Sequence, residues 1–355
     1  IFTLNSVLLL SDAKPLVSDY ALEDISQPEN ARLSYEVLKE FARRDVLSFS
    51  DEEKRAVLEA PDSENILKDK RIIRKAWKSL EKARVLIGEL DLFEGVADFS
   101  HVDDSVVLGF SDFPMICAGH EAYARLCMAR GDFDEAIDVL SPLNSVARKA
   151  LPYASLGNKS WWMALRRRNF RIMNDVVLRS NADKKIRERI LREFPEMSSE
   201  ELSFENALIG HYLQLKYFAE SSFNKEEFMN YLSFPVASKL DRWERFYNFL
   251  LSGVIYPVTV DRNRIIRDLR TYNDLLIETA RTMPPDNRKL NIYRQNYHRK
   301  PQLGNLAGWL VTRRTMHNTE ILFESAAATK ALGDLLVSKV SDDGGEREGL
   351  REISH

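Results

Sequence analysis

Residues 115–140, MICAGHEAYARLCMARGDFDEAIDVL, constrain this chain more than any other stretch. They read as two helices joined at Gly131-Asp132. Ala124, Cys127 and Met128 fall on the first helix, and Phe133, Ala136, Ile137 and Leu140 on the second. Small residues at those positions let two helix axes approach closely, with Phe133 and Ile137 covering the crossing. Gly131 supplies the left-handed residue that ends the first helix, and Asp132 is placed to cap the second. A chain committed to such a crossing builds its core by laying helix on helix.

The remaining periodicity agrees. Apolar residues at helical spacing predict helices over 30–46, 64–90, 159–180, 182–194, 200–220, 237–251, 261–282 and 305–340. Ser50-Asp51-Glu52-Glu53 and Ser198-Ser199-Glu200-Glu201 are capping boxes, each opening a helix. Pro142 is expected to restart or kink the second hairpin helix, because proline lacks an N–H. A loop is expected over 284–304, after Pro284-Pro285, and Val106-Val107-Leu108 is one short run that could be extended. The expected fold is all-α, an irregular multi-helix array or solenoid-like bundle. Its expected layout is an apolar segment and link over 1–28, a helical domain over 29–340 with a subdivision near 256–260 or 284–304, and a flexible tail over 341–355.

At 355 residues the chain is long enough for one large helical domain or two smaller ones. Gly 14 and Pro 12 are few for that length, which argues against glycine-rich folds. The net charge of −3 steers no class of partner by itself. Cys117 and Cys127 lie ten residues apart on one predicted helix, roughly 15 Å, so they read as buried hydrophobes beyond disulfide reach. The leading run IFTLNSVLLL is too short to span a bilayer. It reads either as the remainder of a signal or anchor helix, or as an element packed on the core.

The run Gly131-Asp132-Phe133-Asp134-Glu135-Ala136-Ile137, with Ala124 before it, resembles one tetratricopeptide repeat. That family builds grooved scaffolds for protein partners from stacked helical hairpins, so the resemblance implies a scaffold role. This chain departs from the pattern at His120, where an aromatic is usual, and at Pro142, and it shows no second copy at a period of 34. A looser pattern adds the apolar N-terminal segment, Ser-Phe-Glu-Asn-Ala-Leu at 203–208 and Asn-Leu-Ala-Gly at 305–308. This looks like a group of membrane-anchored bacterial envelope proteins, and it implies export or tethering while bringing no activity with it. Localisation stays open between that and the cytoplasm.

Two stretches are locally basic, 164–192 and 281–314. Arg166, Arg167 and Arg168 of the first, with Tyr293, Arg294, Tyr297 and Trp309 of the second, are the expected partner-binding residues. The aromatics of the second stretch could stack on bases or sugars while the cations meet phosphates; a solvated face is the simpler account. The chain has no HExxH, GxSxG, Walker lysine loop or dinucleotide fingerprint. No catalytic residue, metal ligand or cofactor is assigned. The best candidates for chemistry are His120-Glu121, His211 and Asp103-Asp104, should distant helices bring them together. The favoured expectation is a non-catalytic scaffold binding a protein or peptide in a groove, first at the exposed face of the hairpin. Nucleic acid or glycan binding through the basic helices, and an enzyme assembled from separate helices, are the alternatives.

Overall fold

The computed structural model describes residues 18–41, 49–60, 66–97, 112–180, 183–221, 262–282, 287–299 and 319–352. Every regular element among them is helical, so the fold is all-α. The helices are α1 (Ala31–Phe41), α2 (Asp51–Glu59), α3 (Lys70–Ser79), α4 (Glu81–Leu90), α5 (Phe113–Ala129), α6 (Phe133–Ala150) and α7 (Leu156–Arg179). They continue with α8 (Lys184–Glu193), α9 (Ser199–Leu202), α10 (Glu205–Ser221), α11 (Arg262–Ala280), α12 (Arg288–Arg299) and α13 (Thr319–Glu352). Two compact units divide the chain. The larger takes residues 26–207 and 324–355, the smaller 1–25 and 208–323.

The hairpin α5–α6 is the centre of the larger unit. Gly131 has φ +82°, and the turn closes with Gly131 N–H donating to the Met128 carbonyl and Asp132 N–H to that of Cys127. This paired 5→2 and 6→1 pattern satisfies carbonyls that a helix end leaves open. Asp132 does not cap α6 with its side chain, contrary to the expectation from sequence; its carboxylate pairs with Arg130 at 2.9 Å. Ala124, Ala136 and Ile137 are buried at the crossing, with Cys117 and Cys127 buried on α5. Helices α2 and α3 pack on α5, while α7 and α8 pack on α6. Gly119 on α5 has no room for a side chain, since a Cβ there would stand 2.6 Å from Leu80 Cδ1. Gly333 on α13 likewise faces the Phe170 ring of α7, which a Cβ would approach to 3.1 Å.

Several boundaries differ from the periodicity. The helix expected over 64–90 is two, α3 and α4, broken at Leu80 (φ −86°, ψ 3°). Leu80 is drawn fully into the core, and Ser79 Oγ bonds back to the Lys75 carbonyl, a bond that bends helices. The capping box at Ser198 forms, but it opens only the four-residue α9. The chain then extends at Ser203 (ψ 129°) to bury Phe204 before α10. Helix α6 runs through Pro142 without interruption. The loop expected over 284–304 contains α12, because Leu290, Tyr293 and Tyr297 make an i, i+3, i+7 stripe against α11. The tail expected from 341 is helical to Glu352. An existing helix propagates at the cost of one residue per bond, so the charged end needs no apolar face of its own. Val106-Val107-Leu108 and the helix expected over 237–251 lie outside the described residues.

In the smaller unit, Asp19 is the knot. Its carboxylate accepts from Tyr212 Oη at 2.7 Å, Lys216 Nζ at 2.7 Å and Arg270 Nη1 at 3.1 Å, joining the segment before α1 to α10 and α11. Burial opposes ionisation of Asp19, but these donors outweigh it and hold its pKa below the usual carboxylate value. Arg270 also lies over the Tyr20 ring, 3.4 Å from its centroid.

Candidate functional site

Four helices of the larger unit converge on one cleft of about 500 Å³. Helix α4 contributes Glu81, Arg84, Val85 and Gly88, and α6 contributes Glu135, Asp138, Val139 and Pro142. Both sets follow i, i+3, i+4, i+7 spacing, which places each on one side of its helix. His120 and Tyr123, three apart on α5, form part of the wall with Trp77 of α3. The Trp77 ring stacks parallel on Tyr123 at 4.4 Å, and His120 meets it edge-on at 5.1 Å. The Arg84 guanidinium lies 4.2 Å from the Trp77 centroid.

Two polar groups of the wall, His120 and Tyr123, are held neutral at neutral pH. His120 is buried, and its Nδ1 lies 2.9 Å from the Ile116 carbonyl; a carbonyl only accepts, so the ring proton sits on Nδ1. Burial pushes the imidazole pKa down to about 4. Tyr123 Oη donates to Glu135 Oε1 at 2.9 Å, and burial first, then that bond, pushes the phenol up to about 12. Burial likewise holds Cys117 and Cys127 as thiols, with pKa values pushed up to about 12, which removes them as nucleophiles at neutral pH. Asp138 and Asp134 accept from Arg189 of α8, while Glu81 meets no cation among the described residues. Counting Arg189 on Asp138, three carboxylates face two guanidinium groups, which leaves the cleft negative by one charge. Pro142 adds an acceptor, because it has no N–H to give the Asp138 carbonyl the bond expected inside a helix.

The described residues expected from sequence to meet a partner lie outside this cleft. Arg166 is 0% exposed and belongs to a buried network, which corrects its assignment to a binding surface. Its guanidinium donates to Asn144 Oδ1 at 2.8 Å and the Pro195 carbonyl at 3.0 Å, pairs with Glu201 at 3.4 Å, and lies over Phe170. Burial lowers its pKa to about 10, so it stays charged at neutral pH. Arg167 is half-buried and Arg168 exposed on α7. Tyr293 stacks between Tyr272 at 6.3 Å and Tyr297 at 5.9 Å, and Tyr297, 8% exposed, donates to Asp268 at 2.9 Å. This ladder packs α12 on α11 and leaves Tyr297 no open face. Arg294 is half-buried beside it, and Trp309 lies outside the described residues. Glu121 pairs with Arg125 at 3.2 Å. His211 falls in the smaller unit, where burial pushes its pKa down to about 4, while His120 falls in the larger; Asp103 lies outside the described residues.

Among the described residues no group of three His, Cys, Asp or Glu is gathered to hold a metal. None of the described helices is long and apolar enough to cross a membrane. Comparison with protein-family models, curated proteins and solved structures finds no match to this chain. Sequence reasoning overlooked Trp77, Arg84 and Asp138. The available signal is the shared i, i+3, i+4, i+7 spacing at 81–88 and 135–142, which marks two helix faces without saying that they meet.

Proposed function

We propose that the chain is a non-catalytic interaction scaffold whose cleft holds a short peptide segment of a protein partner. The hairpin expected from its resemblance to a tetratricopeptide repeat supplies two of the helices concerned. One observation carries the reading: an apolar wall of Trp77, Val85 and Val139 stands beside the carboxylates of Glu81, Glu135 and Asp138, of which Glu81 meets no cation among the described residues. Val85 is 57% exposed. An apolar side chain on that wall gains burial, and a lysine or arginine next to it meets the acids. The Asp138 carbonyl offers a backbone acceptor to an extended peptide.

Gly88 provides the test, because a side chain there would enter open space. Peptides selected from a displayed random library against the intact chain are expected to pair Lys or Arg with a neighbouring Leu, Phe or Met. Gly88→Trp fills the cleft and is expected to weaken those peptides by about tenfold or more, with the melting temperature retained. Failure to select such peptides, or equal binding by Gly88→Trp, would overturn the reading.

A further inference from the structure

Helix α7 has two contrasting faces. Trp162, Leu165, Arg166, Phe170, Met173 and Val176 are buried on one of them. The other carries Gly157, Trp161, Ala164, Arg168, Arg171, Asp175 and Leu178, exposed or half-exposed. Their spacing alternates four and three residues along the helix. Trp161 is 42% exposed and Leu178 is 65% exposed, and the two stand about 25 Å apart along the axis. Arg168 and Arg171 lie between them, with half-buried Arg167 alongside; among the described residues none of the three forms an ion pair or a side-chain hydrogen bond. Asp175 is engaged by Arg125 at 3.3 Å. At Gly157 a side chain would meet nothing within 4 Å.

We propose that this face of α7 docks an acidic amphipathic helix of a protein partner, laid lengthwise along it. The alternating four-three spacing is the seam one helix presents to another. Gly157 and Ala164 leave room for a close approach, and Trp161 and Leu178 anchor the two ends. Covering Arg168 and Arg171 without carboxylates would strand their charges, so the occupant brings glutamate or aspartate opposite them. A nucleic acid fits less well, because the stripe has one aromatic for stacking and places Asp175 in the path of the phosphates. A bilayer fits less well too, since the apolar residues sit only at the ends while arginines occupy the middle.

The probe is a designed helical peptide of about 20 residues, with leucine on its seam and glutamate on both flanks. Its binding to the intact chain is followed by fluorescence anisotropy. The expected result is binding that weakens with added salt and falls by about tenfold or more in Arg168→Glu/Arg171→Glu. A peptide with those glutamates changed to lysine is expected to recover binding to the double variant. Gly88→Trp is expected to bind the probe as the parent does, which separates this surface from the cleft. The proposal is overturned if the acidic peptide does not bind, or if charge reversal leaves its binding unchanged. It is equally overturned if the lysine peptide restores nothing, or if phosphatidylserine vesicles or a single-stranded oligonucleotide bind more tightly than the peptide.

Discussion

His120 is kept neutral by the same burial that makes it part of the cleft wall, and this has a thermodynamic consequence. Its pKa is about 4 in the folded chain, against an ordinary value of 6.5. Between those values the unfolded chain binds a proton that the folded chain does not, so stability falls as the pH drops through that window. The contribution is intact above pH 6.5 and fully lost only below about 4, where it amounts to about 3 kcal/mol. His120→Gln is expected to flatten part of the change in urea midpoint between about pH 7 and 5. His211, whose pKa burial also lowers to about 4, adds to the slope in the same direction. The carboxylates held low by their partners, Asp19, Glu53 and Glu193, also cost stability as the pH falls, because they bind protons more readily in the unfolded chain. An unchanged pH profile in His120→Gln would show that the ring is not buried in the neutral form.

Among the elements, local chemistry separates what the sequence discloses from what it conceals. Both capping boxes form as written, at Ser50 and at Ser198, because each depends on four consecutive residues. Gly131 takes its left-handed conformation for the same reason. The helix break at Leu80 was hidden, because it reflects packing beneath Gly119, a residue some forty positions on. Arg166 misled more seriously. A run of three arginines reads as a basic surface, yet two residues of helix, about 200° of rotation, send Arg166 inward to Asn144 and Glu201 while Arg168 faces out. The cleft was legible only as two face patterns, since their convergence is set by tertiary packing. The hairpin crossing itself makes a firm prediction. Ala136 is fully buried between α5 and α6, so Ala136→Phe overpacks the crossing and is expected to cost about 1–3 kcal/mol in a melting or urea experiment. A neutral result would mean that the two helices do not pack through that residue.

For the whole molecule, the two compact units are discontinuous in the chain. Contacts made long after a segment is written cannot be inferred from its own periodicity. The larger unit draws on residues 324–355, and Gly333 of α13 lies against the Phe170 ring of α7. A fragment of residues 26–207 therefore lacks the helix that covers Phe170. It is expected to bind a hydrophobic dye and to melt less cooperatively than the full chain, whereas a dye-silent, cooperative fragment would show that α13 is dispensable. The same contact bears on biosynthesis. A ribosome delivers α7 well before it delivers α13, and at about 5–20 residues per second the interval is on the order of ten seconds. Throughout that interval the nascent chain carries an uncovered aromatic seam. Chaperone demand should accordingly persist until α13 emerges, and ease only then.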